Sequence, residues 1–170
     1  NDPDGKKYQE AYFDYYPNVW RHGDWTKLTR RGTLVIFGRS DATLNPGGVR
    51  IGTAEIYKVV ESFEEILESI VIGQEWEDDI RIVLFVKLKE KISLDEKLKT
   101  EIKNKLRQLV SPRHVPAKII SVADIPRTRS GKITELAVRD VIHGKKIKNI
   151  EALSNPEALD LFKDLSELNN

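Results

Sequence analysis

The sequence predicts an α+β domain, a small sheet covered by helices. Apolar residues alternate at Ile80, Ile82, Leu84, Val86 and Leu88, which puts them on one face of a strand. Leu94, Leu98, Ile102, Leu106 and Leu109 recur at helical spacing and form the stripe that can cover such a face. Further short apolar runs separated by turn formers supply the remaining strands and helices.

In chain order, residues 1–18 open with the turn formers Asn1, Asp2, Pro3, Asp4 and Gly5. Tyr8, Tyr12, Phe13, Tyr15 and Tyr16 follow without a clean period, the composition of a surface packed on another domain. Thr33–Phe37 is apolar and β-branched and reads as a strand, broken by Gly38-Arg-Ser-Asp41. A boundary is expected at Asp41: residues 1–40 as the edge of a larger preceding domain, residues 41–170 as a domain with a C-terminal extension. Pro46-Gly47-Gly48 makes a loop before Val49-Arg50-Ile51. A helix starts at Gly52-Thr53 and carries Ile56, Val59, Val60 and Phe63. Residues 66–73 and 80–88 read as strands. Ser93-x-x-Glu96 matches a capping box for the helix that Pro112 ends. Residues 118–122 are a third strand, 124–132 an exposed loop, and 134–142 a last helix closed by Gly144.

At 170 residues, 39% apolar and 32% charged, the chain is long enough for one core. Its 28 basic and 27 acidic residues nearly cancel, so no global field recruits nucleic acid or an anionic membrane. The acids Glu151, Glu157, Asp160, Asp164 and Glu167 against the single base Lys163 leave the tail negative and the body moderately basic. Cysteine is absent, which excludes disulfides, thiolate metal sites and Cys nucleophiles. With three scattered histidines, no metal site is expected. No apolar run approaches the length of a membrane span, and the start lacks a targeting pattern, so a cytosolic fragment of a longer protein is expected.

Three segments could carry chemistry. Pro126-Arg-Thr-Arg-Ser-Gly-Lys132 combines two arginines, a hydroxyl, a glycine and a lysine. A glycine beside a lysine lets backbone approach an anion while the ammonium reaches it. The spacing is not that of a Walker A loop. Taken alone, the segment reads first as a solvated basic turn, and a phosphate-binding loop is the second reading. Gly38–Glu55 is rich in glycine and proline around Arg39, Asp41 and Arg50, and is balanced between a ligand-shaped backbone and a hairpin loop with surface charges. In Trp20-Arg-His-Gly-Asp24-Trp25 the carboxylate could accept from paired hydroxyls such as those of a ribose, although an Asp after Gly is first of all a turn residue. His22 and His114 read as structural, and His143 as a helix-dipole partner.

In order, Gly23-Asp24, Gly38-Arg39-x-Asp41, Gly48-x-Arg50-Ile51, Glu55-Ile56 and Ser130-Gly131-Lys132 resemble the late motifs of the adenylate-forming superfamily of acyl-CoA synthetases, luciferases and peptide-synthetase adenylation domains. The stretches Gly38–Glu55, Ser111–Pro116 and 153–162 resemble its acetoacetate-activating branch. The resemblance covers nearly the whole chain. It implies a mobile C-terminal domain: a mixed sheet of about three strands under helices, preceded by a β-hairpin at the hinge.

The implied reaction joins acetoacetate to ATP as an acyl-adenylate, releasing pyrophosphate, after which coenzyme A displaces AMP. ATP with Mg2+ and the acid are then bound mainly by an N-terminal domain of the same chain, so this fragment alone is expected to be inactive. Carried over by residue, the resemblance makes Lys132 the catalytic lysine of adenylation, with Ser130, Gly131 and Arg129 shaping its loop. It places Asp24 on the ribose, Arg39 and Arg50 near the nucleotide, Asp41 at the hinge, Gly48 along the pantetheine path and Arg107 at the nucleotide end of coenzyme A. Ala42 stands where many relatives have a second acid, and the roles of Arg127 and Arg129 are open. Competing readings are a synthetase for acetate, propionate or another short acid, a phosphorylated-ligand binding module without chemistry, and a structural module.

Overall fold

The computed structural model describes residues 2–147 and 149–170. A short helix α1 (Lys6–Tyr12) precedes the strands β1 (Asp24–Leu28) and β2 (Leu34–Arg39), which pair antiparallel. Helix α2 (Thr53–Val60) leads into β3 (Ile66–Trp76) and β4 (Asp79–Leu88). Helix α3 (Glu96–Leu109), strand β5 (Lys118–Ser121) and helix α4 (Glu135–Ile142) follow, then a tail of 3-10 turns at Ile150–Ala152, Pro156–Phe162 and Ser166–Leu168.

β3 and β4 form a long antiparallel hairpin with Ile66 opposite Leu88 and Trp76 opposite Asp79. Glu77 and Asp78 between them both have positive φ, 48° and 62°, the twist that a two-residue hairpin turn needs. β5 then pairs parallel to β4, so the sheet is mixed, in the order β3-β4-β5. Both hairpin strands extend beyond their expected limits, β3 by three residues to Trp76 and β4 by one to Asp79. Cross-strand pairs Gln74↔Arg81 and Glu75↔Ile80 continue the ladder past the apolar run.

The sheet is buried on both faces. Ile82, Leu84 and Val86 face the cluster built with Ile56, Val60, Ile102 and Leu106 of α2 and α3. Val83 and Phe85 face a second cluster with Val138 of α4 and Leu153, Leu159 and Phe162 of the tail. An unbroken apolar run such as Ile82–Val86 is what a strand covered on both sides requires. The acidic tail is therefore core on its inner side: Phe162 is fully buried, its ring edge-on to Phe85 at 4.9 Å.

Several local expectations change. The cap of α3 is Asp95, whose side chain accepts from Leu98 N–H, rather than Ser93, because Glu96 is already the first helical residue. Pro112 ends α3 by opening a 3-10 turn capped by Ser111, whose hydroxyl also meets His114 Nδ1 at 2.8 Å. Residues 6–12, unassigned in the sequence reading, are helical, and none of them is buried. His143 Nε2 accepts from Glu75 N–H at 2.9 Å and Nδ1 lies 2.7 Å from the Arg139 carbonyl. The ring therefore caps the C-terminal end of α4, where a helix-dipole partner is expected, and joins it to β3.

β1–β2 seats directly on α2. The sequence predicts a strand over Thr33–Phe37, and β2 runs on to Arg39 because Asp24 and Trp25 pair with Arg39 and Gly38. Leu28, Leu34 and Ile36 on this hairpin are exposed.

Candidate functional site

Lys132 sits on a turn of residues 127–133 closed by its own backbone: Thr128 N–H donates to the Lys132 carbonyl at 2.8 Å, and Gly131 N–H to the Thr128 carbonyl at 2.8 Å. Gly131 has φ +79°, a left-handed conformation that glycine adopts without strain. Ser130 and Thr128 hydroxyls meet at 3.0 Å, while Thr128 Oγ1 accepts from Lys132 N–H at 3.1 Å. The Lys132 side chain is exposed. Arg127, open in role from sequence, anchors the turn: Nη2 pairs with Glu68 Oε1 at 2.8 Å and Nη1 donates to the Gly131 carbonyl at 2.8 Å. Arg129 contributes its backbone N–H to the Ala152 carbonyl at 3.0 Å.

Asp24, Arg39 and Asp41 gather where β2 ends. Arg39 forms a two-point pair with Asp41, Nε at 3.2 Å and Nη2 at 3.0 Å, and donates to the His22 carbonyl at 3.3 Å. The Asp41 carboxylate beside it raises the Arg39 pKa above its ordinary value, against partial burial. Asp24 Oδ2 contacts His22 Nδ1 at 2.8 Å, and His22 stands edge-on to Trp20. Arg139 of α4 donates to the Asp41 carbonyl at 3.4 Å, tying the expected hinge to the helix that follows the lysine turn. Ala42 is buried and lines a 360 Å³ cavity with Glu135 and Arg139. Burial, first of all, raises the Glu135 carboxyl above its usual pKa.

Gly48 and Arg50 belong to a third group. Leu44 and Ile51 bridge across the base of this loop, and Gly47 N–H donates to both oxygens of Asp79 at 3.0 Å. Arg50 lines a cleft of about 670 Å³ together with Asp24, Trp20, Arg21, Ser40 and Asn45. Asp24 and Arg50 are thus brought together, with Arg39 adjacent.

Lys132 is not part of that cleft. Its turn is tied to Glu68 at the start of β3, whereas the Gly48 loop is tied to Asp79, which pairs with Trp76 at the other end. Glu68 and Trp76 lie eight residue steps apart on β3, a span of roughly 26 Å at about 3.3 Å per residue. Arg107, in the last turn of α3, is exposed and joins the hydrogen bonds of neither loop. Among the described residues, no cluster of three or more His, Cys, Asp or Glu is placed to hold a metal, and no helix is long and apolar enough to cross a membrane.

Residues 55–132, from the Glu55-Ile56 motif to the candidate lysine, match the family described as AMP-binding enzyme C-terminal domain. The match takes in the whole β3-β4-β5 sheet and ends on the lysine turn. The chain is 67% identical over 168 residues to acetoacetyl-coenzyme A synthetase of Rhizobium meliloti (strain 1021), covering 99% of this chain and 26% of that protein. With acetoacetyl-CoA synthetase of Xenopus tropicalis it shares 47% identity, covering 100% of this chain and 26% of the relative. The solved acetoacetyl-CoA synthetase from Streptomyces lividans superposes with a TM-score of 0.87 at 44% identity, covering 100% of this chain and 26% of that one. The chain thus spans about a quarter of the length of the relatives it matches. The α+β architecture with its mixed three-stranded sheet and preceding hairpin is the fold of these enzymes' C-terminal domain.

Three supporting residues escaped the sequence reading. Asp79 fixes the Gly48 loop, Glu68 fixes the lysine turn, and Asn155 of the tail binds the backbone of residues 125–127. Only Asn155 left a trace, since Asn-Pro is a turn signal. The other two act across distances in sequence that no local pattern records.

Proposed function

We propose that this chain is the C-terminal part of a cytosolic, ATP-dependent acetoacetate–CoA ligase, divided near Asp41 into the edge of the preceding domain and a rotating domain. Acetoacetate attacks the α-phosphate of ATP, expelling pyrophosphate, and the coenzyme A thiol then attacks the acyl carbon, expelling AMP. Both nucleophile and electrophile of the first step are anionic, so a cation between them lowers the barrier. Lys132 supplies that cation from an exposed position on a turn tied by backbone hydrogen bonds. Mg2+, held with ATP mainly by the preceding domain, would neutralise further phosphate charge.

The observation that carries this reading is the placement of the two loops at opposite ends of β3–β4. In the arrangement described, Arg50 shares the cleft of Asp24, which suits the second half-reaction: Asp24 accepts from the ribose hydroxyls, Arg39 and Arg50 lie near phosphate, and Gly48 borders the thiol's path. Rotation about Asp41 brings Lys132 to the same place for the first. Arg107 would meet the nucleotide end of coenzyme A. The choice of acetoacetate rests on the likeness to the synthetases named above.

The test is pyrophosphate exchange and thioester formation by the full-length protein with acetoacetate, acetate, propionate and butyrate, for wild type and Lys132→Ala. Acetoacetate is expected to be preferred, and Lys132→Ala to lose exchange on the order of 10²–10³-fold, as for removal of one oxyanion donor. Preference for another acid overturns the substrate, and normal exchange by Lys132→Ala overturns the lysine's role.

A further inference from the structure

The tail lies outside the residues matched to the family, 55–132, yet it forms the back of the lysine turn. Thr128 and Leu153 make an antiparallel bridge, Arg129 N–H donates to the Ala152 carbonyl at 3.0 Å, and Ser154 N–H donates to the Arg127 carbonyl at 2.8 Å. Asn155 completes the contact with its side chain. Oδ1 accepts from Arg127 N–H at 2.8 Å, while Nδ2 donates to Asp124 Oδ2 at 2.7 Å and to the Ile125 carbonyl at 3.0 Å. Asp124 is held in turn by Lys87 Nζ of β4 at 2.7 Å.

An amide side chain has two donors and one acceptor oxygen, and Asn155 directs all of them at residues 124–127, where the chain turns toward Lys132. The next residues, Pro156–Phe162, are fastened to the second core by Leu159 and Phe162. Asn155 therefore transmits the position of the core to the lysine turn.

We propose that Asn155 is a positioning residue for Lys132. It sets the height and direction at which the turn projects the ammonium, and so serves adenylation and not thioester formation. This rests on the proposed role of Lys132. Misplacement of a reacting group by about 1 Å can cost on the order of 10²-fold in rate, which sets the size of effect to look for.

The experiment uses the full-length protein and the variants Asn155→Ala and Asn155→Asp. The second keeps the acceptor for Arg127 N–H at nearly the same size, but replaces the donor with an oxygen facing Asp124. Three quantities are compared: pyrophosphate exchange, thioester formation from supplied acyl-adenylate, and hydrogen exchange at the amides of Arg127 and Arg129. Both variants are expected to lose exchange by about 10- to 100-fold while retaining thioester formation within about twofold. Amide protection at Arg127 and Arg129 falls while that of β4 stays. Adding Asp124→Asn to Asn155→Asp restores a donor between the two side chains and recovers pyrophosphate exchange. Equal loss of both half-reactions, or unchanged amide protection, overturns the proposal. A wild type without pyrophosphate exchange, or Lys132→Ala exchanging normally, instead overturns the proposed function; amide protection then decides by itself whether Asn155 holds the turn.

Discussion

A Cβ on Gly52 would lie 2.3 Å from the Phe37 carbonyl oxygen and 2.6 Å from the Phe37 Cβ. The bare glycine at the start of α2 is what lets β2 seat against it, and the contact joins the two sides of the proposed boundary at Asp41. Gly52→Ala forces them apart. Overpacking of this kind costs about 1–3 kcal/mol, to be read as a lower denaturant midpoint of the 170-residue chain. An unchanged midpoint would mean that the hairpin does not seat there in solution.

Asp79 tests the other loop. Its carboxyl is held below the ordinary Asp pKa by the N–H of Ile80 and then that of Gly47. The tether is therefore present above pH 3.8 and is lost as pH falls through the depressed folded value. Asp79→Ala is expected to slow thioester formation by about tenfold, the lower range for a misplaced binding loop, and to spare pyrophosphate exchange. A variant impaired in pyrophosphate exchange alone would contradict the assignment of Gly48 and Arg50.

Glu135 should reveal itself in the pH dependence of stability. Tyr57 donates to Glu135 Oε1 at 3.1 Å, and burial pushes both groups above their ordinary pKa values. For a carboxyl raised on folding, the favourable contribution is complete below pH 4.5 and is lost as pH rises through the folded value. Glu135→Gln keeps the acceptor for Tyr57 and carries no charge. It is expected to melt above wild type at neutral pH, with the difference closing as pH approaches 4.5. Parallel melting curves across that range would show that the burial cost is not felt.

Phe162 measures what the tail contributes to the core. Phe162→Ala removes the ring packed on Phe85, and a buried Phe→Ala change costs about 3–5 kcal/mol. A denaturant midpoint close to wild type would place the tail outside the cooperative unit.

The legible parts of the fold were those with local periodicity. The β4 alternation and the α3 stripe are written in side chains two, three and four residues apart, and both elements stand where they were expected. What covers the other face, that of Val83 and Phe85, was not legible, because α4 and the tail come to lie on it only in the fold. Strand β1 was legible only as half of the hairpin that the resemblance implies, because Asp24–Leu28 carries only Trp25 and Leu28 as large apolar residues and takes its conformation from pairing with β2. For the site, Lys132, Asp24, Arg39, Asp41, Gly48 and Arg50 were readable as motifs in order. Which of them meet was not, since the proximity of Asp24 to Arg50 and the separation of both from Lys132 follow from how a hairpin and a sheet are stacked.

The β3–β4 hairpin, clamped on one side by α2 and α3 and on the other by α4 and the tail, behaves as a stiff beam with a tool at each end. With its two loops roughly 26 Å apart, such a beam presents one end at a time to a single site. Under the proposed rotation the ammonium of Lys132 and the loop of Gly48 exclude each other by length alone. The order of the half-reactions then needs no separate gate, and a thiol could not be admitted until the lysine had withdrawn.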